Sequence, residues 1–184
     1  MDNHLLGYSE RDLKESPYAP FYEPRLAPLQ DHVTEALHLR GQAEALFHAV
    51  AQAPRMLDPG YGTVETGYTR GQDLSIRVFC LTPMPRVTPA MWDWWFGWHG
   101  CEALRYKLWH PAAHVEARWA DGGSAESYVG RTSLIIEYLG PQLKKAAVSF
   151  LSPRVLGFDE ERLAAQGEVV VCARVGIPGT PVKG

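Results

Sequence analysis

Hydrophobic and polar positions repeat along this chain with two different periods, and the places where the period changes divide it into elements. In 29–54, LQDHVTEALHLRGQAEALFHAVAQAP, the residues Val33, Leu37, Leu46, Phe47 and Val50 fall near a 3.6-residue spacing, which predicts one amphipathic helix, weakened at Gly41 and ended by Pro54. GTVETGYTRGQDLSIRVFCL carries a β-branched, apolar run beyond Gly71, Gln72 and Asp73, the pattern of a hairpin. In VTPAMWDWWFGWHG, Thr88 can cap free amides and Pro89 lacks the donor that would go unused, so a helix starts near residue 89. HVEARW and YVGRTSLIIEYLG read as strands, PQLKKAAVSFL as a helix opened by Pro141, DEERLAA as a short helix capped by Asp159, and GEVVVCARVG as a strand. Ahead of these, Pro17, Pro20, Pro24 and Pro28 mark 1–28 as an arm on the surface. The order predicts an α+β fold with an antiparallel sheet rather than repeated βαβ units.

Composition narrows the function classes. A chain of 184 residues, 46% hydrophobic and 21% charged, suits one domain with a real core. Its formal net charge of -3 gives no basic excess to attract nucleic acid. Cys80, Cys101 and Cys172 are odd in number and lack a C-x-x-C pair, so neither a disulfide framework nor a zinc finger is indicated, and a reducing cytoplasm is the expected location. The polar N-terminus carries no signal pattern, and no run of about 18 apolar residues predicts a membrane span.

The chemistry gathers in the second half. At 100° per residue from Met91, the bulky residues Met91, Trp92, Trp94, Trp95, Phe96 and Trp98 cover an arc of roughly 200° that leaves out Asp93 and Gly97. His99 falls near the middle of that arc and is expected to be buried, either as a neutral core imidazole or as a site histidine in an aromatic pocket. Next come Glu102, Tyr106, His110 and His114; Pro111 and the strand-like HVEARW argue against a helical His-x-x-x-His clamp. Glu137 is a lone carboxylate in an apolar strand, where an unpaired charge costs several kcal/mol. It calls for a metal, for a cationic partner such as Arg105 or Arg131, or for exposure at an edge. There is no G-x-S-x-G elbow, phosphate-binding glycine loop or H-E-x-x-H motif.

The run VTPAMWDWWFGWHGCEALRYKLWHPAAHV, followed by YVGRTSLIIEYLG, LGFDEE and VCARVGIPGTPV, resembles the 2,4-diacetylphloroglucinol hydrolase family, which includes phloretin hydrolase. The resemblance covers roughly 55–182. It implies a Bet v 1 or START-like helix-grip domain, a curved antiparallel sheet around a pocket, here as a partial domain over 55–184 behind an N-terminal arm and helix over 1–54. It implies a zinc-dependent hydrolase that breaks the carbon-carbon bond between a phenolic ring and an acyl group. Of the family's two histidine and two glutamate ligands to Zn2+, Glu137 matches one glutamate and His114 one histidine, with His99 and His110 as rivals. Tyr106 and His99 would hold or protonate phenolic oxygens, and Trp94, Trp95, Trp98 and His110 would line the substrate site. No His-x-x-x-Glu motif follows GIPGTPVKG, so the resemblance is to a shortened member with an incomplete ligand set. The expected partner is a small aromatic ketone, with a second copy of the chain as a candidate source of further ligands. The competing readings are a metal-free aromatic-ligand binder and an inactive shortened homologue.

Overall fold

The computed structural model describes residues 5–38, 50–59, 65–72, 74–123 and 127–179. These form an α+β arrangement of antiparallel sheets and short helices, and no closed barrel forms among the described residues.

The hairpin is where the pattern placed it. Strands β1 (Gly67–Arg70) and β2 (Ile76–Phe79) pair antiparallel around a turn that includes Gly71. Helix α2 (Asp31–His38) lies against β1, and a His32 ring nitrogen donates to the Leu81 carbonyl at 2.8 Å. The single helix predicted over 29–54 is corrected in part. Its start is α2, but the chain at Val50–Leu57 is a 3-10 helix that continues through Pro54 instead of stopping there. Gly41 lies outside the described residues. The N-terminal arm also has structure of its own, helix α1 (Glu10–Glu15), opened by a capping box in which Ser9 and Asp12 each satisfy the other's backbone amide.

The main sheet has the order β3-β4-β5-β6, with β3 at His114–Trp119, β4 at Thr132–Leu139, β5 at Gln142–Leu151 and β6 at Cys172–Gly176. The helix expected over PQLKKAAVSFL is overturned, because this segment is strand β5, paired with β4 from Gln142 to Ser149 and with β6 from Ala147 to Leu151. Gly140, with φ +58°, and Pro141 turn the chain back between Leu139 and Gln142, so Pro141 closes a tight hairpin instead of opening a helix. Pairing with β4 then outweighs the intrinsic helical preference of Lys144 to Ala147.

Helices α3 (Pro89–His99) and α4 (Ala103–Trp109) cover one face of this sheet. Thr88 caps α3 by accepting the Met91 amide, as the sequence predicts. Tyr106 of α4 packs on Ala117 and Ile135, while Phe96 of α3 packs beside Trp119, Tyr128 and Phe150. Ser133 donates to the Gly100 carbonyl at 3.1 Å, and a Cβ on Gly100 would sit 3.1 Å from the Trp119 ring, a close approach that favours glycine at the corner between the helices. The wide apolar arc of α3 is not buried throughout: Met91 and Trp94 are 54% and 46% exposed, whereas Gly97, placed outside the arc by the pattern, is buried. Counting side-chain size mispredicts the contact face because a helix can also approach its sheet through a residue with no side chain. Helix α5 (Glu160–Gln166), capped by Asp159, closes the other end through Leu163, Phe158 and Cys172.

Candidate functional site

The sheet register brings the candidate residues together. In β3 and β4, His114 stands opposite Glu137, Ala117 opposite Ile135 and Trp119 opposite Ser133, so all six side chains share the face covered by α3 and α4. That alignment depends on an irregularity. Strict alternation would put Val115 opposite Glu137 and turn His114 to the other face, but the register shifts between His114 and Glu116. A bulge of this kind re-aims a side chain. Here it turns an imidazole toward a carboxylate.

Three side chains lock into one constellation. The Tyr106 hydroxyl donates to Glu137 Oε2 at 2.7 Å, and the Tyr106 ring stacks on His114 with centroids 3.7 Å apart and planes 3° from parallel. His114 Nδ1 lies 2.9 Å from the Tyr106 carbonyl oxygen, which can only accept, so this nitrogen carries the proton and Nε2 keeps a lone pair in the neutral ring. That Nε2 is 3.7 Å from Glu137 Oε2. The distance is too long for a good hydrogen bond. Two donors on one tetrahedral ion, each about 2.1 Å from it, would lie about 3.4 Å apart. The pair therefore fits a shared cation, and its nitrogen and oxygen donors suit zinc. Among the described residues no group of three or more His, Cys, Asp or Glu side chains comes together to hold a metal.

The rival partners of Glu137 are engaged elsewhere. Arg105 pairs with Glu102 at 2.9 Å, and Arg131 pairs with Asp121 at 2.7 Å. Glu137 is on an interior strand, flanked by β3 and β5, with its side chain 21% exposed, which sets aside the edge-strand explanation. Burial pushes the Tyr106 phenol well above its ordinary range, and its hydrogen bond to Glu137 adds to the effect. Burial also lowers the His114 pKa, partly offset by the Tyr106 carbonyl and the Glu137 charge.

His99 is buried, as expected, and its environment is aromatic on several sides. Its ring stacks on Trp95 at 5.2 Å and Tyr106 at 5.8 Å and meets the edge of Trp109 at 5.1 Å. Nδ1 donates to the Trp95 carbonyl at 2.7 Å, and burial pulls the imidazole down to about 4, so it is neutral at pH 7. His110 ends α4 beside His114, with ring centroids 5.6 Å apart, and its Nδ1 is buried without a hydrogen bond. Neither His99 nor His110 forms the contact within 4.0 Å of Glu137 that His114 makes. Trp94 and Trp98 stack on each other on the side of α3 that meets Tyr18 and Arg105; among the described residues neither makes a ring contact with His99, Tyr106 or His114. Trp109, not singled out from sequence, touches the edges of both His99 and His114. Its position three residues after Tyr106 was the available signal, since residues three apart on a helix are neighbours.

The model of the DAPG hydrolase PhiG domain matches residues 46–183. A phloretin hydrolase from Eubacterium ramulus is 30% identical over 185 aligned residues, covering 91% of this chain and 65% of that protein. A 2,4-diacetylphloroglucinol hydrolase from Pseudomonas protegens is 27% identical over 158, covering 81% of this chain and 52% of its own length; one from Pseudomonas sp. is also 27% identical, with 54% of its length covered. The chain thus spans about half to two thirds of the length of these curated relatives. With a family model spanning most of the chain, Tyr106, His114 and Glu137 included, the protein belongs to the DAPG hydrolase family.

Proposed function

We propose that the protein is a zinc-dependent hydrolase that cleaves the carbon-carbon bond between a phenolic ring and its acyl group, with His114 and Glu137 as two of the metal's ligands. The observation that carries this reading is the His114–Glu137 pair, 3.7 Å apart, with the imidazole proton fixed on the far nitrogen. A backbone carbonyl holding the second nitrogen is the usual support of a metal-ligating histidine. The other two positions of a four-coordinate site would be taken by water and by donors beyond this pair, a second copy of the chain being one source. Zinc held there would supply Lewis acidity and make water nucleophilic near neutral pH.

The chain's own residues divide the remaining work. Water adds its oxygen to the acyl carbon and a proton reaches the ring carbon, so an acyl phenol gives a carboxylic acid and a deacylated ring. Tyr106, held on Glu137 Oε2, is a hydrogen-bond donor beside the pair, and burial with the Glu137 contact raises its pKa and so favours the protonated phenol. His99, neutral at pH 7 with Nδ1 committed to Trp95, would accept a phenolic hydroxyl proton in a hydrogen bond and would not act as an acid. Trp95 and Trp109 offer ring surface beside it and His110 lies next to His114, while Trp94 and Trp98, stacked on the Tyr18 side of α3, would back this wall through the Trp95–Trp98 contact. We read the sheet with α3 and α4 as part of a helix-grip fold, and the cytoplasm as the location. No described helix is long and apolar enough to cross a membrane.

A second reading, binding of an aromatic ligand without turnover, is favoured by a different observation. A pocket of about 390 Å³ at the start of α3 is lined by Met56, Val87, Trp92 and Phe158 and contains none of the three site residues. One experiment separates the two. Zinc-loaded protein is given an acylphloroglucinol in water enriched in oxygen-18. The hydrolase reading expects equimolar acid and ring product, with the label in the acid, and loss of both in Glu137→Gln. Tight binding with the substrate recovered intact would overturn it in favour of the second reading.

A further inference from the structure

We infer that the N-terminal arm is part of the scaffold of the site: Gly7, Tyr8 and Tyr18 grip the outer side of α4 and so position Tyr106 on its inner side and, through the Tyr106 carbonyl, His114 at the start of β3. Helix α4 has 7 residues, too few to be stable unless held by its surroundings. The arm supplies much of that hold. Tyr8 Oη donates to the Leu104 carbonyl at 2.8 Å, Lys107 Nζ donates to the Gly7 carbonyl at 2.9 Å, and Arg105 Nε donates to Tyr18 Oη at 2.8 Å. The Tyr18 ring also meets the edge of Trp98 at 5.4 Å. Just past the helix, the Gly7 amide donates to the Pro111 carbonyl at 3.1 Å, inside the turn that leads to His114. Gly7 has φ +65°, and a Cβ there would lie 2.5 Å from Tyr22 Oη, so the arm's turn is built around glycine and closed by the stacked rings of Tyr8 and Tyr22.

The inner side of α4 feeds directly into the site. The residue between Arg105 and Lys107 is Tyr106, whose carbonyl holds His114 Nδ1 and whose hydroxyl holds Glu137. A shift of α4 would therefore move both supports of the pair at once. Tyr18 and Lys107 are positioning residues, since they act through α4. Most of the arm's contacts come from residues before 46, ahead of the segment that matches the family model. Any ligand bound by His114 and Glu137 must also favour the docked arm by the same factor that the arm favours the ligand; this part alone rests on the metal reading above.

The test uses the full chain as wild type, Tyr18→Phe, Lys107→Met and the double variant. Tyr18→Phe removes the hydroxyl and keeps the ring against Trp98. In metal-free protein, hydrogen exchange is followed by NMR at the Gly7 amide, at the His114 Nδ1 proton and at the Ile135 amide of β4 as a control; zinc affinity is then measured by chelator competition. In the double variant the Gly7 and His114 protons should exchange at least about tenfold faster with Ile135 unchanged, and zinc should bind about tenfold more weakly. A freed Gly7 amide with an unchanged His114 proton would overturn the inference. If wild type binds no zinc but the His114 proton is still released, the metal reading fails and the arm's role stands. If Ile135 also accelerates in the double variant, the fold itself has loosened, and Tyr18→Phe is judged by the same comparison.

Discussion

Two ends of one sheet face differ in what they are built to do. At one end Trp119, Phe150 and Tyr128 close on Phe96 with regular strand alternation; the polar Ser133 beneath them is satisfied by the Gly100 carbonyl. At the other end, from Ser133 to Glu137 on β4 and from Trp119 to His114 on β3, the alternation breaks, and the face carries His114 and Glu137 joined by Tyr106. The regular end gains its stability from burial of aromatic surface. The irregular end places a carboxylate and an imidazole where desolvation works against charge, and it does so through a bulge and through a phenol whose ring packs in the core while its hydroxyl serves Glu137. The contrast teaches that the Trp119 end is built for packing, while the His114 end is where the proposed function sets its chemistry.

The comparison can be broken first at its strong end. Trp119 is 2% exposed, and Trp119→Ala should cost roughly 3–5 kcal/mol of stability in urea unfolding. A cost under about 1 kcal/mol would show that the aromatic end does not hold the fold. The next effect is a pH dependence. The folded His99 pKa is about 4, below its ordinary 6.5, so the unfolded chain binds more protons between these values. Stability contributed by the neutral ring is fully present above pH 6.5 and is lost as pH falls toward 4, a change on the order of 3 kcal/mol. His114, shifted in the same direction, adds to the slope. Unfolding of metal-free protein across this window should flatten markedly in His99→Phe; an unaltered slope would count against a neutral, buried imidazole. Tyr106→Phe should be milder for the fold, about 1 kcal/mol, yet should weaken zinc binding by 10-fold or more, because it frees Glu137 and leaves the ring stack in place. If both quantities fell together in proportion, the two ends would not be separable. At the hairpin, Val78 is 75% exposed, and Val78→Thr should stay within about 0.5 kcal/mol of wild type.

How far this was legible in the sequence follows from the range of the interactions. The cap at Thr88, the Asp159 cap and the β1–β2 hairpin rest on contacts a few residues apart, and each appears where its local signal lies. Lys144 to Ala147 carry a helix-compatible pattern, and only pairing with β4 makes them strand. Glu137 announced itself as a lone carboxylate in an apolar strand, and resemblance singled out His114. The bulge that faces them toward each other could not be read, because it is defined by which residue lies opposite on another strand. The arm's prolines and polar residues pointed to surface, but they carry no sign of the grip on α4, which spans about a hundred positions.

The most direct test of the central claim is the metal content of protein loaded with zinc and freed of excess by gel filtration, compared among wild type, His114→Gln and Glu137→Gln. Retention of zinc in a fixed ratio to wild-type chain, lost in both variants while their unfolding curves stay close to wild type, is the predicted result. Wild type that emerges free of zinc, or variants that keep as much as wild type, would contradict the claim that this imidazole and this carboxylate share a cation.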